Sequence, residues 1–179
     1  MNPTRLRRCL SHYPQILLLT VVWTLCTSVH AGLFSDDEDK AVPKEEGALA
    51  LPAAPKADDL LRYTAGPGSS MTFAIDAKSV SVGDDQIVRF SSVITSNSGV
   101  ANISYEGIRC KTAERKLYAT GRPDGSWNTL QDAEWRRISS AGANSYQAAL
   151  MRDFFCDGEA VAGKAAVIVE RIRRKKPLR

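Results

Sequence analysis

The sequence predicts an α+β domain: an antiparallel β-sheet meander with one main helix packed on it. Three observations carry this. Apolar and polar residues alternate through Gln86–Thr95 and again through Val100–Arg109, on either side of the turn Ser96-Asn97-Ser98-Gly99. A helical stripe, Tyr146, Leu150 and Phe154 at i, i+4 and i+8, follows later in the chain. The 179 residues, 25% charged and 44% hydrophobic, suit one globular domain with some extra chain rather than a multidomain assembly.

Residues 1–31 read as a signal peptide. Arg5, Arg7 and Arg8 open the chain without an acid, an apolar run extends from Ile16 to Cys26, and Val29 and Ala31 occupy the two positions that a signal peptidase reads. Cleavage is expected after Ala31. The apolar run is about half of the roughly 20 residues that a spanning helix needs, so no transmembrane helix is expected after cleavage. Leu25 before Cys26 argues against lipidation, and Leu6 and Cys9 around the Arg7-Arg8 pair do not support twin-arginine export. The expected location is the periplasm, with envelope association.

Cleavage has a chemical consequence, because His12 and His30 both leave with the signal peptide. A mature chain without histidine has no Ser-His-Asp or Cys-His catalysis and no His-ligated zinc. The expectation is a protein that is not an enzyme and holds no metal or cofactor. Only Cys110 and Cys156 remain as thiols, and in an oxidising compartment they read as one disulfide. Such a bond stabilises by roughly 4 kcal/mol on the loop-entropy model. A redox pair is the competing reading, but no Cys-X-X-Cys spacing is present.

Residues 32–58 are rich in acids, Ala and Pro, with Asp36, Asp37, Glu38, Asp39, Glu45 and Glu46 beside Pro43, Pro52 and Pro55. A segment of this kind is expected to be a flexible acidic arm, since it has too little apolar surface to offset its ordering entropy. The compact domain is expected over 59–172. Met71–Asp76 and Ser79–Val82 read as short strands before the turn Gly83-Asp84-Asp85. Gln86–Thr95 is the strongest strand, with Val88, Phe90 and Ile94 on one face and Arg89, Ser91, Val93 and Thr95 on the other, as in a half-buried antiparallel strand. Arg115–Gly121 follows as another, ended by Pro123-Asp124-Gly125. Asp132–Ile138 is expected to form a short helical turn packing Trp135 and Ile138. The main helix starts at Asn144 or Ser145, either of which can cap it. Ala165–Ile172, with the continuous apolar run Ala165-Ala166-Val167-Ile168-Val169, is expected as a strand central in the sheet.

The run Val93-Ile94-Thr95-Ser96-Asn97-Ser98-Gly99-Val100-Ala101-Asn102-Ile103-Ser104-Tyr105-Glu106-Gly107-Ile108-Arg109-Cys110 resembles the cryptic neisserial protein-like family. Tyr118-Ala119-Thr120-Gly121, Asp124-Gly125-Ser126-Trp127, Trp135 and Cys156 fit the same pattern, so the resemblance covers roughly residues 60–172. It implies an exported single-domain protein of Gram-negative bacteria, of the cell envelope, with no activity assigned.

Three groups are candidates for binding. Glu106 with Arg109 or Arg89 suits a polar patch for carboxylate or phosphate groups, although a cross-strand ion pair on the solvated face is the preferred reading. Trp127, Trp135, Tyr105 and Tyr118 suit an aromatic groove for a sugar or peptide, or else ordinary packing. The tail 173–179, with Arg173, Arg174, Lys175 and Lys176, is basic and free of acids. It is suited to an anionic envelope surface or an acidic envelope protein, and nucleic acid is not an expected partner. Carboxylate catalysis through Asp84-Asp85, Asp124 with Asp132 or Glu134, or Asp153 with Asp157 and Glu159 remains formally open. Turn chemistry explains those acids more simply.

Overall fold

The computed structural model describes residues 45–66, 69–141 and 145–179. The signal peptide, the first part of the acidic arm and the cap at Asn144 lie outside them. The described chain forms a largely antiparallel sheet in the order β1-β2-β4-β5-β6-β7. The strands are β1 (Leu60–Tyr63), β2 (Thr72–Asp76), β4 (Ile87–Thr95), β5 (Ala101–Arg109), β6 (Glu114–Gly121) and β7 (Trp127–Thr129). Short β3 (Ser81–Val82) pairs with the start of β4, and β8 (Arg136–Arg137) pairs with β6. Consecutive hairpins set this meander, and the β4–β5 register runs from Ile87↔Arg109 to Thr95↔Ala101 around the Ser96–Gly99 turn.

One register shift matters for the site. Tyr105 lies opposite Ala119 while Glu106 lies opposite Leu117, so β6 bulges at Tyr118. The extra residue swings the Tyr118 ring over Gly107. A Cβ at Gly107 would sit 2.7 Å from the Tyr118 hydroxyl, which only glycine avoids.

Helices cover one face. The main helix is α1 (Ser145–Leu150), continued by a π-helical turn over Met151–Phe155. Its stripe of Tyr146, Leu150 and Phe154 is buried as expected, and Phe155 is buried as well, 5.0 Å from Phe90 edge-on. The core they close includes Phe73, Ile75, Val88, Phe90 and Ile108 from the sheet. Each such side chain contributes about 1.5–3 kcal/mol on burial.

Ala165–Ile172 is a helix, not the expected central strand: α2 spans Ala165–Arg173. An unbroken apolar run does not distinguish the two periods, and packing decides. Ile168 and Ile172, at i and i+4, are fully buried while Val167 is 49% exposed, a helical pattern of contact with the core. Ahead of α2, β9 (Cys156–Asp157) and β10 (Ala160–Val161) form a small hairpin. After it, Lys175 adopts φ 50°, its N–H bonds the Ile172 carbonyl and the Lys176 N–H bonds the Arg171 carbonyl, a Schellman cap. Leu178 then donates its N–H to the Asp153 carbonyl at 2.7 Å, so the tail turns back onto the domain.

Three more expectations change. Residues 132–138 form no helical turn. Instead β8 bridges Glu114 and Arg115, and Ile138 donates to the Ala113 carbonyl. Strand β4 is not half-buried, because Ile87 through Val93 are buried without a break. The cause is the third change: from Glu45 onward the expected arm lies against the second sheet face as a strap. Gly47 donates to Asp85, Glu46 meets Lys116, and Trp127 donates its indole N–H to the Pro52 carbonyl. Prolines at 52 and 55 lower the entropy lost in ordering such a segment, and its acid finds cations on the sheet.

Candidate functional site

The strap-side face of the sheet gathers most of the residues singled out in the sequence. Arg89 projects from β4, Tyr105 and Arg109 from β5, Tyr118 and Lys116 from β6, and Trp127 from β7. The four expected aromatics form a chain: Trp127 to Tyr105 at 6.1 Å, Tyr105 to Tyr118 at 5.8 Å and Tyr118 to Trp135 at 6.5 Å between ring centroids. Tyr105 and Tyr118 are buried, whereas the two indoles are half-buried. Cations are interleaved with them. The Arg109 guanidinium stacks 4.1 Å over Trp135, and Lys116 lies 5.6 Å from the Tyr118 ring centre and 5.8 Å from that of Trp135. Cation–π contacts of this kind favour desolvated rims.

Arg89 is the buried anchor of this face. It grips Asp85 with both terminal guanidinium nitrogens, at 2.7 and 3.2 Å, and lies 3.7 Å from Glu46. Burial alone would raise the Asp85 carboxyl. The Arg89 fork and the N–H groups of Gly47 and Ile87 outweigh it and hold the pKa down at about 2. Burial likewise opposes the charge on Glu46, but the hydrogen bond from Lys116, with the Tyr118 hydroxyl and Arg89 nearby, lowers its pKa overall. Burial, together with the Glu46 carboxylate, drives Tyr118 upward, so it stays a neutral phenol.

Glu106 is not part of this patch. It pairs with neither Arg109 nor Arg89, because the strand alternation places it with Ser104 and Ile108 on the helix side. There it is 1% exposed and accepts hydrogen bonds from Tyr146 at 2.7 Å, Gln147 at 2.6 Å and the Ser104 hydroxyl. The expected solvated ion pair is thus replaced by a buried carboxylate held by neutral donors. Burial and the Glu106 charge together raise the Tyr146 phenol. Arg109 instead reaches Glu114 at 3.5 Å. Sequence reasoning passed over Gln147, Lys116, Asp85 as an Arg89 partner, and the strap. A signal was present for the first, since a glutamine stands beside Tyr146 on the buried side of a short helix.

Cys110 and Cys156 form the expected disulfide, with their Cα atoms 5.6 Å apart. It ties the end of β5 to the end of the π turn. At the C-terminal end, Arg173 and Arg174 share Glu170, and Arg171 donates to the carbonyls of Phe154 and Ala162. Lys175, Lys176 and Arg179 are exposed; Lys176 lines a groove with Val167 and Pro177, and Lys175 lines another with Tyr63, Asp153 and Pro177. Of the acids weighed for catalysis, Asp85 is engaged by Arg89, Asp124 caps its own turn through Ser126, and Asp153 pairs with Arg152.

The fold and these surfaces define a disulfide-tied α+β domain with an apolar sheet face under helices and an aromatic, cationic face under a strap. The chain belongs to the CNP1-like family, whose model matches residues 39–173. The resemblance read from the run Val93–Cys110 is borne out, and the match extends further toward the N-terminus, over the strap. Neither curated proteins nor solved structures returned a match.

Proposed function

We propose that this protein is an exported, non-enzymatic interaction domain of the periplasm and envelope, which meets an anionic partner or surface with its basic C-terminal end. The observation that carries the reading is the shape of that end. The Schellman turn after α2 and the Leu178–Asp153 bond fix the path of the exposed Lys175, Lys176 and Arg179, and set Lys176 in a groove with exposed Val167. A fixed cationic surface with an apolar neighbour binds phosphate or carboxylate groups with less ordering cost than a free tail.

The test is sedimentation with anionic and neutral lipid vesicles across a salt series. The full mature chain is expected to bind the anionic vesicles at low salt and lose them as salt rises. Joint substitution Lys175→Ala, Lys176→Ala and Arg179→Ala keeps the Leu178 contact and is expected to abolish binding. An absence of binding at low salt, or unchanged binding by the triple variant, rejects the reading. Cell fractionation with mass analysis tests export: the expected product begins at Gly32 and lies outside the cytoplasm.

A further inference from the structure

The strap shows which chemistry the second sheet face accepts. Its residues 45–56 form no strand or helix, so none of its backbone is paired into the sheet ladder. It is held through discrete contacts: the Glu46 carboxylate on Lys116 at 2.8 Å and near Arg89 at 3.7 Å, the Gly47 N–H on Asp85 at 2.8 Å, and the Pro52 carbonyl on the Trp127 indole at 2.7 Å. Each contact has its own receptor group on the rigid sheet. The bidentate hold of Arg89 on Asp85 involves no strap atom, which favours a preorganised receptor.

We infer that this face is a docking site for an extended acidic peptide of a partner protein, and that residues 45–56 occupy it in cis until such a segment displaces them. The ligand carries a carboxylate for Lys116 and the flank of Arg89, a free backbone N–H directly after it for Asp85, and a carbonyl further along for the Trp127 indole. Trp135, with Arg109 stacked on it, and Tyr118 wall the carboxylate end. The spacing of Glu46, Gly47 and Pro52 is the template. An acidic segment is chosen because the receptor cations meet a single strap carboxylate, whereas the carbonyl and N–H contacts carry no side-chain preference. The inference is independent of the basic end of α2, which lies on another part of the domain's surface.

The experiment uses the full mature chain and a fluorescent peptide spanning residues 45–56. Glu46→Ala in the protein loosens the cis strap, and the peptide is expected to bind this variant at least roughly tenfold more tightly than wild type. Lys116→Ala in the same background, or Glu46→Gln in the peptide, is expected to remove about the same factor. Circular dichroism and near-ultraviolet spectra report folding. Should Glu46→Ala fail to fold, Gly47→Pro, which removes the strap N–H that Asp85 accepts and leaves every receptor group in place, takes its place. The inference is overturned if peptide affinity ignores both Lys116→Ala and the peptide's Glu46→Gln, or if no variant binds the peptide. It is also overturned if the loosened protein becomes a concentration-dependent dimer, since the occupant would then be the strap of a second copy.

Discussion

The hydroxyl of Tyr146 donates to the carboxylate of Glu106 at 2.7 Å across the interface between α1 and β5, with both residues buried. A buried carboxylate is expensive to desolvate, and each neutral donor around it offsets part of that cost. Tyr146→Phe removes one donor while keeping the ring that stacks 5.9 Å from Phe73. The expected loss is about 1–3 kcal/mol in urea unfolding. A loss within about 0.5 kcal/mol would mean that Gln147 and Ser104 suffice.

The disulfide closes the chain between β5 and the π turn over a sequence separation of 46. Its stabilisation acts largely on the unfolded chain. The double substitution Cys110→Ala, Cys156→Ala is expected to lower stability by about 2–5 kcal/mol. Wild type measured with excess reductant in the denaturant series should fall by a comparable amount.

Asp85 couples the face to pH. Its carboxyl pKa is lowered in the folded state, from 3.8 to about 2. A depressed carboxylate contributes stability above its unfolded value and loses it as pH falls through the folded one. The contribution is about 2 kcal/mol and should be flat from pH ~7 to ~5, then decline between pH ~4 and ~2. Asp85→Asn at neutral pH is expected to cost about 3 kcal/mol, because it leaves Arg89 buried beside a neutral amide. The gap between variant and wild type should narrow across the acid window. A gap that stays constant down to pH ~2 would dissociate the Arg89 contact from this linkage.

How much of this was legible in the residues follows from what each pattern encodes. Alternation with turn residues at 83–85 and 96–99 located β4 and β5, since a period of two and a turn are local properties. The stripe of Tyr146, Leu150 and Phe154 located the helix for the same reason. The run 165–169 lacks polar residues to mark a period, so only its neighbours in space decide that Ile168 goes in and Val167 stays out. The strap was opaque because its composition reads as solvated, and its order comes from four receptor groups far along the chain. The aromatic set was found by residue type alone, whereas the side of the sheet on which Glu106 lies acquired meaning only once α1 was seen to cover it.

The assignment of α2 itself makes a prediction. Ile168→Ala empties a fully buried position and is expected to cost about 2–5 kcal/mol, while Val167→Ala, at an exposed position, should stay within about 0.5 kcal/mol. Ile172→Ala should behave as Ile168→Ala does. A strand would instead couple alternate residues, making Ala166, Ile168 and Glu170 equivalent, so Glu170→Ala with a small effect separates the two arrangements.

Gly107 places a steric constraint on the cationic face. A Cβ there would lie 2.7 Å from the Tyr118 hydroxyl, 2.8 Å from its Cε2 and 3.1 Å from Ile87 Cγ2. None of these atoms can yield cheaply, since Tyr118 is pinned by the bulge in β6 and by Tyr105 at 5.8 Å, and Ile87 is fully buried. Gly107→Ala is therefore expected to destabilise by about 1–3 kcal/mol, the scale of overpacking. Tyr118→Phe in the same chain should recover only part of the loss, because the ring carbon remains too close after the hydroxyl is gone. Tyr118→Ala removes both contacts, so adding Gly107→Ala on top of it should cost less than in wild type. Unfolding measurements on the four chains of that double-mutant cycle test the point directly: strictly additive losses would show that the Tyr118 ring does not set the glycine requirement.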